Sequence, residues 1–350
     1  LAASPRAFLP IYLAAVYTLL ALYGSLYPFS GWRDSGVAPF DFLHSGWLRY
    51  TTTFDLTINV LAYLPFGFLW ATVFSTRLPG WRAFVLATLV GSLLSLGVET
   101  VQNYLPSRVP SNLDFACNSL GSLCGAAAGL RYGAALLDGG RLHAWREQRF
   151  LPGLIGDRGL LLVALWLLTQ LNPETFLFGN GNLRGLLGLP AALDFAAGRV
   201  IELEMGTVAT QTLSIALIGS RLARHHPFML PLALLGLAML VKSCALMLLM
   251  ESVHGFAWLT PGTLSGLALG IVLWIGSLGM GAAERQAIAA MALMFATVLA
   301  NLMPDNPYFT NTLSGWQQGH FLNFNGLTRL ASSLWPFLAL PWLMLSRKNS

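Results

Sequence analysis

Between Glu99 and Gly125 the chain reads E-T-V-Q-N-Y-L-P-S-R-V-P-S-N-L-D-F-A-C-N-S-L-G-S-L-C-G, setting carboxylates, amides and an arginine between two apolar runs. On a helix Glu99 and Gln102 share one face. Glu99 lies within reach of hydrocarbon, where an ionisable group costs about 2.5 to 3.5 kcal/mol on insertion scales, so it needs either a structural partner or a function. Arg108, in a tight loop between Pro106 and Pro110, offers a partner, and a charge-compensated Glu99 and Arg108 cluster is the minimum expectation. A catalytic reading makes Glu99 a general acid or base and Arg108 the stabiliser of an anionic group such as phosphate, with Asp114 as the second carboxylate. Ser111-x-x-Asp114 also has capping-box-like spacing, with aspartate in place of Glu or Gln, so Asp114 alone reads equally as a helix start.

Candidate ligand-binding residues extend this set to Asn59, Gln102, Asn118, Glu251 and His254. Asn59 stands in T-I-N-V-L-A-Y-L-P-F-G-F, where Pro65 frees a backbone carbonyl. Asn59 is placed to re-satisfy that group or to line a cavity; the simpler role is interhelical glue beside a packing kink. Glu251 and His254 enter through an internal repeat. A shift of 152 residues aligns Asn59 with Gln211, Gly67 with Gly219, Glu99 with Glu251 and Gln102 with His254, and after a seven-residue deletion Gly121 and Gly125 meet Gly266 and Gly270. A Glu and His pair one turn apart can move protons near neutral pH, although a plain hydrogen-bonded helix end explains it too.

The elements that carry these residues are apolar helices. With 55% hydrophobic and only 10% charged residues, the chain is far more apolar than a soluble domain, in which about 25% of residues are charged. Runs of about 17 to 25 apolar residues predict ten spans, near 8–24, 56–75, 83–104, 114–137, 158–171, 201–222, 227–250, 261–281, 286–303 and 328–345. No small-x-small cleavage pattern follows the first, so it reads as a span and not as a removable signal. The expected fold is an all-α polytopic transmembrane bundle: two degenerate, parallel four-helix repeats plus two C-terminal helices. Its divisions are a first repeat (1–137), a basic cytoplasmic connector (138–157), a second repeat (158–284) and a C-terminal helical pair (285–350).

Charge orients this bundle. Placing both termini inside leaves about thirteen basic residues on the cytoplasmic side and about six outside, which favours N-in and C-in. Glu99 to Asp114 and the aromatic loops at 25–55, 172–200 and 304–327 then face outward. Tyr308, Trp316, Phe321 and Phe324, among amides in the last loop, read as an interfacial belt or as a glycan platform. Gly121, Gly125 and Gly129, like Gly262, Gly266 and Gly270, recur every four residues and allow close helix packing. The net charge of +5 comes from arginines spread between apolar runs, which argues against nucleic acid as a partner. Cys117, Cys124 and Cys244 form no C-x-x-C pair, no H-E-x-x-H occurs, and no nucleotide loop or nucleophile motif is present, so no cofactor or metal is expected.

The run N-V-L-A-Y-L-P-F-G-F from Asn59, S-L-G-V-E-T-V-Q-N-Y-L-P-S-R from Ser95 and D-F-A-C-N-S-L-G-S-L-C-G from Asp114 together resemble the VanZ-like family of bacterial membrane proteins, over about residues 8 to 131. The resemblance implies a multi-pass protein of the bacterial inner membrane. The family is named for a member linked to resistance to the glycopeptide antibiotic teicoplanin, which acts on an outer cell-wall precursor. The leading expectation is an outward polar pocket, formed by Glu99, Gln102, Arg108, Asp114 and Asn118, for an envelope lipid or glycan headgroup. One alternative is a proton-coupled transporter whose repeats rock about Glu99 and Glu251. The other is a structural partner of an envelope assembly.

Overall fold

In the computed structural model of the chain, residues 9–34, 36–44, 46, 53–138, 141–249, 254–305 and 322–346 are described. Among them the elements are helical, and the exception is an isolated antiparallel bridge between Phe150 and Ala223. The helices are α1 (Leu9–Leu26), α2 (Thr53–Ser75), α3 (Gly80–Gln102), α4 (Asn112–Gly133), α5 (Arg141–Arg149), α6 (Gly153–Thr169), α7 (Leu183–Leu186), α8 (Ala197–Leu222), α9 (Met229–Leu249), α10 (Pro261–Ser277), α11 (Ala282–Leu302) and α12 (Leu322–Ser346). Each apolar run of the sequence falls on a helix. Among the described residues six are long and apolar enough to cross a membrane: α1, α2, α3, α4 with the turn that follows it, α9 and α11. The expected count of ten is not reached on these criteria. Helices α6 and α10 have 17 residues each, about 26 Å of rise, while α8 and α12 are long but more polar.

The chain forms two compact units, Leu1–Gln148 and Arg149–Ser350. In the first, α2 and α4 lie backbone to backbone. Gly121, Gly125 and Gly129 face the carbonyl oxygens of Val60, Leu64 and Phe68, and Gly67 in turn faces Ser122. A side chain at any of these glycines would occupy the partner backbone's place, so the four-residue glycine spacing sets how closely the helices approach. Helix α3 closes the group through Ala87, which packs with Ala71 and Ala126 among Trp70, Phe74 and Phe84. Helix α4 starts where Ser111 accepts hydrogen bonds from the Leu113 and Asp114 N–H groups, as an N-cap should.

The second unit is built around α8, whose residues Gln211 to Gly219 are all buried. Gly262, Gly266 and Gly270 of α10 face the carbonyls of Ile201, Met205 and Ala209. Each of these contact pairs is 61 residues apart, as are Gly121, Gly125 and Gly129 from the α2 carbonyls that they face. Two indoles fasten α12 to α6: Trp335 Nε1 donates to the Leu162 carbonyl at 2.7 Å and Trp342 Nε1 to that of Ile155 at 2.8 Å.

The segment after α6, expected as an outer loop, is packed into this unit. Gln170, Asn172, Leu177, Phe178 and Asn180 are each at most 2% exposed. Irregular backbone can be buried only if its polar groups are satisfied. Here Lys242 of α9, itself 1% exposed, donates to the Asn172 and Thr175 carbonyls. The Gly181 N–H donates to Ser332 O at 2.8 Å, Asn301 Nδ2 to Gly181 O at 2.7 Å, and Ser333 Oγ to Asn182 O at 2.9 Å. Most of the aromatic loop at 304–327, including Tyr308, Trp316 and Phe321, lies outside the described residues.

Candidate functional site

At the C-terminal end of α3 the sequence's polar residues divide into separate hydrogen-bonded sets. Ser95, Glu99 and Gln102 share the buried face of that helix. Glu99, 2% exposed, accepts from the Ser111 N–H at 2.9 Å, which ties the end of α3 to the cap of α4. Gln102 Nε2 donates to the Ser25 carbonyl at 2.8 Å. Asn118 Nδ2 donates to Ser95 Oγ at 3.0 Å, and its Oδ1 has no partner. Asn59 Nδ2 donates to Asp114 Oδ1 at 2.7 Å; the asparagine is bound to α4 and not to the carbonyl freed by Pro65.

The expected Glu99 and Arg108 pair does not form among the described residues. Arg108 directs both Nε and a terminal nitrogen to the Tyr27 carbonyl, the former at 3.2 Å. Burial lowers its guanidinium to about 10, so it remains a cation at neutral pH. The physical reason for the rearrangement is local. The turn at Asn103–Leu105, hydrogen-bonded back to Glu99, Val101 and Gln102, brings the next helix's cap N–H over the carboxylate, while the arginine side chain reaches across to the segment after α1. That segment is also held by Arg33 N–H donating to Tyr104 O at 3.0 Å and Asn103 Nδ2 donating to Val37 O at 3.2 Å.

These ties leave a cleft between the segment after α1 and the start of α4. Asp41, Asn103, Ser111 and Asn112 supply its polar lining, and Val37 and Val109 are among its apolar residues. Glu99 does not line it. The buried Glu99 carboxyl group sits behind Ser111, whose N–H it accepts, and so fixes one wall of the cleft from within.

The other two candidates are elsewhere. Glu251 lies outside the described residues, and His254 is exposed in the turn after α9 instead of on the buried end of a span. The second unit carries buried polar residues outside the candidate set, among them Gln211, which the repeat aligns with Asn59. Glu204 is 6% exposed and accepts from Thr263 Oγ1 at 2.9 Å. Gln211, two turns further along α8, is fully buried with neither amide atom partnered, and Asn180 is in the same condition. The signal for Glu204 and Gln211 was their seven-residue spacing, which puts both on one helix face.

Residues 11–131 match the VanZ/LLP1 family model. No curated protein and no solved structure matches the chain. The matched segment runs from α1 almost to the end of α4 and includes Asn59, Glu99, Gln102, Arg108, Asp114 and Asn118, so the family likeness and the hydrogen-bonded end of the first unit coincide. Over this segment, about a third of its length, the chain is similar to the VanZ/LLP1 family, and its long apolar helices suggest a membrane protein.

Proposed function

We propose that the first unit binds the hydroxyl-rich headgroup of an envelope glycolipid in the cleft at Asp41, Asn103, Ser111 and Asn112, on the outer face of a bacterial inner membrane. The observation that carries this reading is the lining itself. It combines one carboxylate with amide and hydroxyl groups beside apolar residues and contains no cation. Carboxylates and amides recognise hydroxyl groups by accepting and donating hydrogen bonds, whereas Asp41 would repel a phosphate. The excess of basic residues on the opposite loops supports N-in, C-in topology, with this cleft outward. Glu99 and Arg108 then serve as positioning residues that hold the two walls.

The architecture is read in the same way. Helices α3 and α9 begin 149 positions apart (80 and 229), and so do α4 and α10 (112 and 261). The same shift pairs the capping residues Ser111 and Thr260, and it pairs Val60 facing Gly121 with Ala209 facing Gly270. These matches support a duplicated helical plan in a register three residues from the 152-residue alignment, with Glu204 falling opposite Asp55.

The test is lipid retention by the full chain in detergent, measured by native mass spectrometry. A diglucosyl diacylglycerol should be retained in preference to bare diacylglycerol. Asp41→Asn and Asn112→Ala should each reduce that preference by roughly three- to tenfold, the value of one or two hydrogen bonds. Equal retention of both lipids rejects the glycolipid reading and favours a structural role in an envelope assembly.

A further inference from the structure

A second cleft lies in the other unit, at the opposite chemical extreme. It opens where the C-terminal end of α8, the N-terminal end of α11 and the C-terminal end of α12 meet. Arg221 and Arg285 line it, with Ser220 and Gln286 between them, and Leu217 and Leu343 form apolar wall. No carboxylate is in the lining.

The polar groups around it are fixed by the fold in ways that leave one cation uncommitted. Ser220 Oγ donates to Pro227 O at 2.9 Å and accepts from Trp274 Nε1 at 3.3 Å. Gln286 Nε2 is held by the Leu343 carbonyl. Arg221 has a partner within the fold. Arg285 makes no side-chain hydrogen bond or ion pair among the described residues, although it is half-buried.

The Arg224 N–H donates to Arg149 O at 2.9 Å and the Leu151 N–H to Leu222 O at 2.8 Å, which lays the backbone at Arg149–Leu151 beside the end of α8. In sequence, Arg347 and Lys348 follow α12. A cleft between membrane helices with guanidinium groups at its mouth and aliphatic residues in its wall suits a ligand with a phosphate at one end and hydrocarbon at the other. A soluble anion would gain nothing from Leu217 and Leu343.

We propose that this cleft binds an anionic phospholipid of the cytoplasmic leaflet, its phosphate between Arg221 and Arg285 and its first acyl carbons on Leu217 and Leu343. The proposal is independent of the outer glycolipid cleft, because it concerns the other unit and the other charge.

The experiment uses the full chain purified in a neutral detergent and then mixed with equal amounts of phosphatidylglycerol and phosphatidylcholine. Native mass spectrometry should show preferential retention of phosphatidylglycerol. Arg285→Ala, which removes no internal bond, should lower that retention about fivefold, the usual effect of one basic residue at an anionic surface, with an unchanged melting temperature. Arg82→Ala, in the first unit, is the control and should leave retention as it was. Equal retention of the two lipids, or undiminished retention by Arg285→Ala, overturns the proposal. So does competition by millimolar inorganic phosphate that fully displaces the lipid, since that result assigns the cleft to a free anion.

Discussion

Glu99 illustrates how a buried carboxylate can be accommodated without a cation. Its Oε2 accepts from the Ser111 N–H at 2.9 Å, so the buried oxygen and the N–H at the start of α4 satisfy one another. Glu99→Gln keeps an acceptor in place and should leave the amount of folded protein close to that of the parent. Glu99→Ala orphans a buried N–H and should destabilise the unit by about 1 to 3 kcal/mol, visible as a lower melting temperature of the purified protein. Arg108→Gln should lose the tie to Tyr27, and adding Glu99→Gln should not restore it, because the two side chains have different partners. Rescue in the double variant would mean that an ion pair forms after all. The residue types at this site were legible in the sequence, since polar groups between apolar runs announce themselves. The partners of Arg108, Gln102 and Glu99 were not: they are backbone groups of Tyr27, Ser25 and Ser111, and a backbone group has no sequence signature.

Among the elements, the glycine faces of α4 and α10 were readable from their four-residue repeat, and they pack where that repeat requires. The contrast between Gly125 and Gly97 tests the point within one unit. Gly125 faces the Leu64 carbonyl, while a side chain at Gly97 would meet nothing within 4 Å. Gly125→Leu should abolish accumulation of folded protein, since overpacking costs at least about 1 to 3 kcal/mol even where side chains can shift and here the obstacle is backbone. Gly97→Leu should be tolerated. Equal yields of the two variants, judged by size-exclusion chromatography, would remove the glycine face as a determinant of the fold. The segment after α6 was less legible. Asn172, Pro173 and Glu174 look like an exposed turn, and what holds the segment inward is contacts from far along the chain, such as Lys242 on the Asn172 carbonyl and Asn325 on Glu174.

For the whole molecule, charge asymmetry gives a topology that labelling can check. With the native cysteines replaced, Ser107→Cys, at an exposed position beyond α3, should react with an impermeant maleimide in intact cells. His225→Cys, exposed between α8 and α9, should react only after permeabilisation. The reverse pattern would move the proposed glycolipid cleft inside and the phospholipid cleft outside. Hydropathy located the helices because burial in lipid or protein demands apolar residues alike. It does not tell a lipid-facing helix from one like α8, whose residues Gln211 to Gly219 are buried in protein, and six of the ten expected spans meet the length and hydropathy criteria among the described residues. Lys242 adds an order in time. Its acceptors, Asn172 and Thr175, are synthesised before it, so the ammonium reaches the growing unit when carbonyls that can receive it already exist. The groups that complete the same segment, Ser332 and Ser333, are synthesised later than Lys242. Assembly of the second unit therefore has a late step written into it: the ribosome must deliver α12 before the buried segment has all of its hydrogen bonds.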